Sequence, residues 1–363
     1  MIDRRVFRDI DWVLIGLALL NAAIGVIFIY SSSHFLPGNH HVRQSLWVLF
    51  SLAVLFVVLA VDYKVLTTYS PYFYLASLVV LVGMLLFARL VAHTKSWITL
   101  PFFQIQPSEV AKLAVILLLA RIFSEYKKST LSSNVAVQAS LLVFTPVLLV
   151  AAQPDLGTAM TFFPILLAAF FLAGLKRRTV ALLVVASLVV GFVGWNFGLR
   201  DYQKRRLTTL INPGQDPRGA GYHILQSKIA IGSGGLVGKG FGKGSQSQLR
   251  FLPARHTDFI VSVIGEEAGF AGVFFVLLSF FLMLARMFAS ASKSRDRAGV
   301  YIVFMASVLI AYQFLVNVMM IIGLFPVTGI PLPLLSYGGS SLLSNFIAIG
   351  LVVNVRMRRF ANV

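Results

Sequence analysis

Apolar runs of about 18 to 25 residues recur from one end of this 363-residue chain to the other, and no other feature restricts its fold as much. Each run is long enough to cross a hydrocarbon layer of about 30 Å as an α-helix. A bilayer leaves few alternatives, because backbone polar groups inside it must find partners within the protein. Ten runs can be read, at 11–32, 43–61, 69–89, 108–125, 134–152, 156–174, 179–198, 259–288, 298–322 and 341–355. The expected fold is therefore all-α: a polytopic membrane protein forming a single integral membrane domain over 1–363. Charged residues are 12% of the chain, against roughly 25% in soluble domains, so no sizeable soluble domain is expected. The first run follows Arg4, Arg5 and Arg8 but is too long for the apolar core of a signal peptide, and it reads as an uncleaved first span.

The basic residues orient these spans. Of 31 lysines and arginines, seventeen fall between or beyond the runs on one side of the alternation, including the tail Arg356, Arg358 and Arg359. Short cytoplasmic loops collect such residues, so both termini are expected in the cytoplasm. Ten more, from Arg200 to Arg255, crowd into one long loop on the opposite side, at about 199–258. Long loops translocate regardless of charge, and a basic surface there suggests an anionic substrate. Ile224, Leu225, Ile229, Ile231, Leu236 and Phe241 argue that this loop is ordered. The net charge of +18 is assigned to topology and anionic lipid rather than to nucleic acid. The absence of cysteine excludes disulfides, thiol nucleophiles and cysteine-based metal sites. The six histidines show no metal-ligand spacing, and no Gly-x-Ser-x-Gly element supports serine hydrolysis.

Among the thirteen acids, five stand at outer ends of spans: Glu109, Asp155, Asp258, Glu266 and Glu267. Asp258 is expected in the first turn of the eighth span, flanked by Arg255 and His256. It is either an acid favoured there by the helix dipole, worth about 0.3–1 kcal/mol, or a carboxylate base beside the basic loop. Glu266 falls two turns deeper near the Asp258 face, Glu267 points elsewhere, and both are read as supporting residues paired with cations across the bundle. Gln106-Pro107-Ser108-Glu109 and Gln153-Pro154-Asp155 each put proline at a helix start and an acid in its first turn. Capping and internal pairing is the expected role of Glu109 and Asp155, with Lys112 neutralising Glu109 at i,i+3. The glycine-rich stretch Gly232–Gly244 fails the phosphate-loop pattern. It is either a flexible loop or a surface of backbone N–H groups and lysines, Lys239 among them, that can approach an anion.

Asp216–Ser227, the glycine-rich stretch and Phe251–Ile260, together with Gln106–Lys112, Gln153–Thr158 and Phe325–Ser340, resemble the signatures of the SEDS family (shape, elongation, division and sporulation). The resemblance covers nearly the whole chain and is strongest to the elongation branch. It implies a peptidoglycan glycosyltransferase for cell-wall elongation and rod shape, working at the outer face of the bacterial cytoplasmic membrane. The implied substrate is lipid II, polymerised into β-1,4 glycan strands. The family's essential acid falls on Asp258, and its outer-loop arginine falls on Arg206, beside Arg205. Implied partners are a class B penicillin-binding protein, which supplies the transpeptidase, and other membrane proteins of the elongation complex.

The mechanism that follows is inverting transfer with Asp258 as general base. Arg206, Lys228, Lys239 and Arg255 are the candidates for stabilising the pyrophosphate leaving group, with a magnesium or manganese ion as a further candidate. Gln226, Ser227 and His256 complete the candidate substrate-binding set. Two other readings remain: a lipid II flippase, which ten spans and intramembrane acids also fit, and a non-catalytic scaffold that recruits the transpeptidase.

Overall fold

The computed structural model describes residues 9–33, 39–88, 95–99, 104–126, 131–174, 196, 204, 207–210, 219–249, 251–252 and 254–360. The expected seventh span, apart from residue 196, and Arg206 lie outside the described residues. The protein is an all-α membrane bundle. In chain order it opens with α1 (Trp12–Ser33), α2 (His40–Ala60), the short α3 (Tyr63–Thr68) and α4 (Ser70–Phe87). A two-residue hairpin, β1 (Ile98–Thr99) and β2 (Gln104–Ile105), pairs Ile98 with Ile105 and leads into α5 (Pro107–Glu125). Then come α6 (Ser133–Ala152), α7 (Leu156–Met160) and α8 (Phe162–Leu172). The loop region contributes α9 (Ala220–Ser233) and α10 (Ser245–Gln248), followed by α11 (Ile260–Ala291), α12 (Arg297–Ile321) and α13 (Gly339–Met357). A 3-10 turn, Arg358–Phe360, follows α13.

Seven of these, α1, α2, α4, α6, α11, α12 and α13, are long and apolar enough to cross a membrane. The 19-residue α5 matches the expected fourth span but carries Glu109 and Lys112 inside it. The expected run at 156–174 is divided into α7 and α8 at Thr161. Pro164 has no N–H to offer the Met160 carbonyl, so a continuous helix would lose a bond there. The short α3 was not apparent from the hydrophobic pattern; Asp62 caps it by accepting from the Lys64 N–H at 2.8 Å.

The centre of the bundle is α5, buried continuously from Ala111 to Ala120, together with α12 and α13. The outer faces of α2 and α4 stay apolar, with Leu46, Leu49, Leu75, Val79 and Leu86 exposed, as lipid-facing helices require. α1 and α11 run antiparallel, tied at three levels along their length. Arg286 meets Asp11, Asn21 donates to Ser279 Oγ at 2.9 Å, and Ser31 donates to Glu267 at 2.7 Å. Such interhelical hydrogen bonds stabilise helix association in lipid by about 1 kcal/mol each.

Candidate active site

The site is assembled around an interruption in α11. Gly269 has φ 66° and ψ −163°, so the helical bonding stops there. The backbone groups this releases are taken up by the glycine-rich loop. Lys239 and Gly240 donate to the carbonyls of Glu266 and Glu267 at 3.0 Å each, while Phe270 and Ala271 donate to the carbonyls of Gly235 and Leu236 at 2.9 and 3.0 Å. Unpaired backbone groups at this point would be costly, and the loop removes that cost. Its glycines are needed for close approach: a Cβ on Gly234 would lie 1.9 Å from the Gly265 carbonyl oxygen, and one on Gly238 2.2 Å from that of Glu267.

Side chains complete the interlock. Glu266 accepts from Lys239 Nζ at 2.8 Å, from the Gln246 N–H at 2.8 Å and from the Ser247 N–H at 2.9 Å. Glu267 accepts from Ser31 on α1 and from Gln248 Nε2 at 3.2 Å. Arg255 is buried and donates to the Ser247 carbonyl. Thus Lys239 holds the loop against α11, and Arg255 ties α10 to the turn that precedes α11. Ser227 is also fully buried, sharing a 2.8 Å hydrogen bond with Ser262 and donating to the Ile321 carbonyl at 2.9 Å, so it joins α9 to α11 and α12. Gln226 is half-buried beside it. Lys228 is exposed, with its ammonium over Gly323, and forms no ion pair among the described residues.

Asp258 lies in the turn Ala254–Phe259 that precedes α11, not in the first turn of the helix as the sequence suggests. Its N–H donates to the Ala254 carbonyl at 3.1 Å, so the chain is still turning when it reaches the acid. Its carbonyl accepts from Asn317 Nδ2 at 3.0 Å, and the same amide donates to the Ile330 carbonyl at 2.9 Å. Asn317 therefore fixes the acid's backbone to the segment joining α12 and α13. That segment adds Ser336, which donates to the Thr257 carbonyl at 2.5 Å, and Tyr337, whose N–H donates to the His256 carbonyl at 2.9 Å. Gln44 on α2 holds it from the far side, donating to the Ser336 carbonyl at 3.1 Å and accepting from the Gly338 N–H at 3.3 Å. Asp258 is half-buried and its carboxylate lies beside Gly329, where a Cβ would stand 3.9 Å from Oδ2. Gly329 has φ 72°, a conformation and an open face that suit glycine.

An aromatic group borders the acid. The rings of His40, His256 and Tyr337 lie 5.1 to 5.7 Å apart, centroid to centroid. Burial, and then the neighbouring His40 and Arg255, push the His256 imidazole down to about 4. The neutral ring is thus the folded form. Its contribution to stability is complete above the ordinary histidine value of 6.5 and is lost as pH falls from there through about 4, an effect of about 3 kcal/mol. Thermal unfolding across that window is expected to show the loss in the wild type and a shallower slope in His256→Gln; equal slopes would place the titration elsewhere.

Behind this turn lies the second acidic group. Glu109 and Lys112 pair at 2.7 Å with both side chains buried, and the Glu109 carbonyl accepts from Ser344 on α13 at 3.2 Å. Asp155 caps α7 through the Thr158 N–H at 3.1 Å and accepts from Gln106 Nε2 at 3.0 Å. Gly157, in the same cap, packs its backbone on the Thr328 carbonyl, one residue from Gly329. The segment 325–337 is therefore the hub on which Asp258 and the Asp155 cap converge. Among the described residues no three histidine, aspartate or glutamate side chains converge on one point. Asn317, Gln44 and His40 were not picked out by sequence, and Gly329, Ser336 and Tyr337 stood out only as part of the Phe325–Ser340 signature. A polar Asn317 inside an apolar run was the one signal that could have been followed.

Comparison with known proteins gives a consistent result. The family model for the cell cycle proteins FtsW, RodA and SpoVE matches residues 11–360. The peptidoglycan glycosyltransferase MrdB of Escherichia coli strain K12 is 39% identical over 358 residues, covering 98% of this chain and 95% of that protein. A chain in a solved peptidoglycan synthase complex, described as coordinating polymerization and crosslinking, superposes with a TM-score of 0.82 at 30% identity over 97% of this chain and 99% of that one. The rod shape determining protein RodA of Thermus thermophilus superposes with a TM-score of 0.73 at 29% identity, covering 97% and 98%.

Proposed function

Belonging to the FtsW/RodA/SpoVE family of cell cycle proteins, this chain is a peptidoglycan glycosyltransferase, and we propose that it polymerises lipid II with Asp258 as the general base. The acceptor is the 4-hydroxyl of the terminal N-acetylglucosamine of one lipid II. The donor is a glycan α-linked to undecaprenyl pyrophosphate, and a β-1,4 product requires inversion at its anomeric carbon. Asp258 takes the hydroxyl proton as the new C–O bond forms, and the pyrophosphate departs with the electron pair of the old one. One carboxylate suffices because the leaving group is already an anion and needs charge stabilisation rather than a proton. Exposed Lys228 and, in the part of the loop outside the described residues, Arg206 supply that charge. Lys239 and Arg255 act at one remove, by keeping the loop closed on α11 and on the turn that carries Asp258.

The observation that carries this reading is the rigid mounting of Asp258. Its backbone is held from the Ala254 side and the Asn317 side while its carboxylate lies beside Gly329. A base that must meet a hydroxyl at about 2.6–3.2 Å benefits from such fixing. The protein resides in the bacterial cytoplasmic membrane with both termini inside and Asp258 at the outer face. It works with a class B penicillin-binding protein, a pairing supported by the neighbour in a synthase complex, and with other membrane proteins of the elongation machinery.

The test is polymerisation of labelled lipid II by the purified protein, with and without its transpeptidase. Long glycan strands are expected. Lipid II translocation in proteoliposomes with no polymer under either condition would replace the transferase with a flippase.

A further inference from the structure

At the opposite end of the bundle from Asp258, where α1 begins and α13 ends, a cleft of about 310 Å³ is lined by Asp9, Ile10, Asp11, Trp12, Val13, Arg286, Arg356 and Arg359. Three guanidinium groups from α11, α13 and the closing 3-10 turn thus face one small space. Asp11 is fully enclosed and already engaged: Arg286 Nε reaches its two oxygens at 2.7 and 2.9 Å, Arg356 pairs with Oδ2, and the Leu14 N–H donates to Oδ1 at 3.2 Å. Asp11 therefore anchors two arginines without exhausting them. Each guanidinium has five donors, and the hydrogen bonds of partly exposed Arg286 to Asp11 use only its Nε.

The cleft's rim has a different character. Trp12 and Val13 are 59% and 55% exposed in the first turn of an apolar spanning helix, and the Trp12 ring lies 6.3 Å from that of Phe56 on α2. From there the exposed apolar surface continues through Val57 and Phe50 along α2. A donor-rich pocket that opens onto a tryptophan and then onto lipid-facing side chains has the order of parts of a phospholipid: anionic phosphate, interface, acyl chain.

We propose that this cleft is a binding site for an anionic phospholipid, with the phosphodiester held by Arg286, Arg356 and Arg359 and an acyl chain running along α1 and α2. The volume accommodates a phosphate and glycerol headgroup, with the chains outside it. Planar guanidinium groups favour the bidentate contacts that phosphate oxygens offer. The site is independent of the glycosyl transfer assigned to the other end of the bundle.

The experiment is native mass spectrometry of the full-length protein exchanged into detergent micelles doped with phosphatidylglycerol or phosphatidylcholine, with a parallel series containing inorganic phosphate. The wild type is expected to retain phosphatidylglycerol preferentially. Arg359→Gln, which leaves the Asp11 ion pairs in place, is expected to lower that retention roughly fivefold. Arg286→Lys, which keeps the charge but loses the planar fork, is expected to lower it as well. Equal retention of the two lipids, or wild-type retention in Arg359→Gln with its thermal stability unchanged, would overturn the proposal. Displacement of phosphatidylglycerol by millimolar inorganic phosphate would also overturn it, because a soluble anion would then be the occupant.

Discussion

Asp258→Asn is expected to lower lipid II polymerisation by about 100- to 10,000-fold while leaving the bundle folded. The amide matches the carboxylate in size, and the two backbone bonds that place this residue, to Ala254 and from Asn317, do not involve the side chain. What disappears is the acceptor for the hydroxyl proton. The loss should therefore fall on kcat rather than on KM, since an interaction realised only in the transition state is removed. Initial rates on labelled lipid II, with association to the transpeptidase and thermal unfolding as checks on folding, would measure it. Activity within about tenfold of the wild type would mean that Asp258 is not the base. Asn317→Ala offers a graded companion: the acid remains but its backbone tether is cut, so a smaller loss is expected.

The second large effect is structural. Gly269→Ala is expected to destabilise the protein by about 4 kcal/mol, from two separate causes. The backbone at φ 66°, ψ −163° lies in a region open essentially only to glycine, and forcing another residue there costs about 1–3 kcal/mol. The new methyl would also stand 2.3 Å from the Gly238 nitrogen and 2.7 Å from the Leu236 carbonyl, an overlap that costs a further 1–3 kcal/mol or so. Relief would require the loop to leave α11, exposing the carbonyls of Glu266 and Glu267. Other glycines of the stretch grade the effect. Gly242, with φ 71° but nothing within 4 Å, should cost only the backbone strain when replaced by alanine. Gly232→Ala, in α9 with open space around it, should be neutral or stabilising by about 0.5–1 kcal/mol. Thermal unfolding of the three variants, with limited proteolysis across 234–249, would rank them. A Gly269→Ala protein as stable as Gly232→Ala would refute the interlock.

The helices were legible because a bilayer imposes a length, and the apolar runs announce that length wherever they occur. Pro164 stood in plain view as the reason the run at 156–174 is divided, but a uniform hydropathy masks such a break. The interruption at Gly269 left no trace in the pattern, because an apolar run of glycine and phenylalanine is compatible with a continuous helix. Only the distant strip of chain that fills the gap, Gly235 to Gly240, accounts for it. The same holds for Glu266 and Glu267. Their need for partners could be read from position, whereas Lys239, Ser31 and the N–H groups of α10 could not, since those contacts span many intervening residues. Asp258 stood out through its neighbours and through resemblance. Its seat in a turn, held by an asparagine from α12, became apparent only once α12 and α13 were packed against it.

The break in α11 also sets an order in which the protein can be completed during synthesis. The loop that fills the gap and the serine of α1 that receives Glu267 both precede α11 in the chain. As α11 leaves the ribosome, everything required to close the interlock has already been made. The long-range ties on the turn that carries Asp258 come from the opposite direction, from Asn317, Ser336 and Tyr337, all translated later. A nascent chain halted after α11 would thus hold a docked glycine-rich loop and an Asp258 turn without its long-range ties. Asp258 would acquire its final position only when α12 and α13 have entered the membrane, so that an incomplete chain carries the parts of the site without their final arrangement.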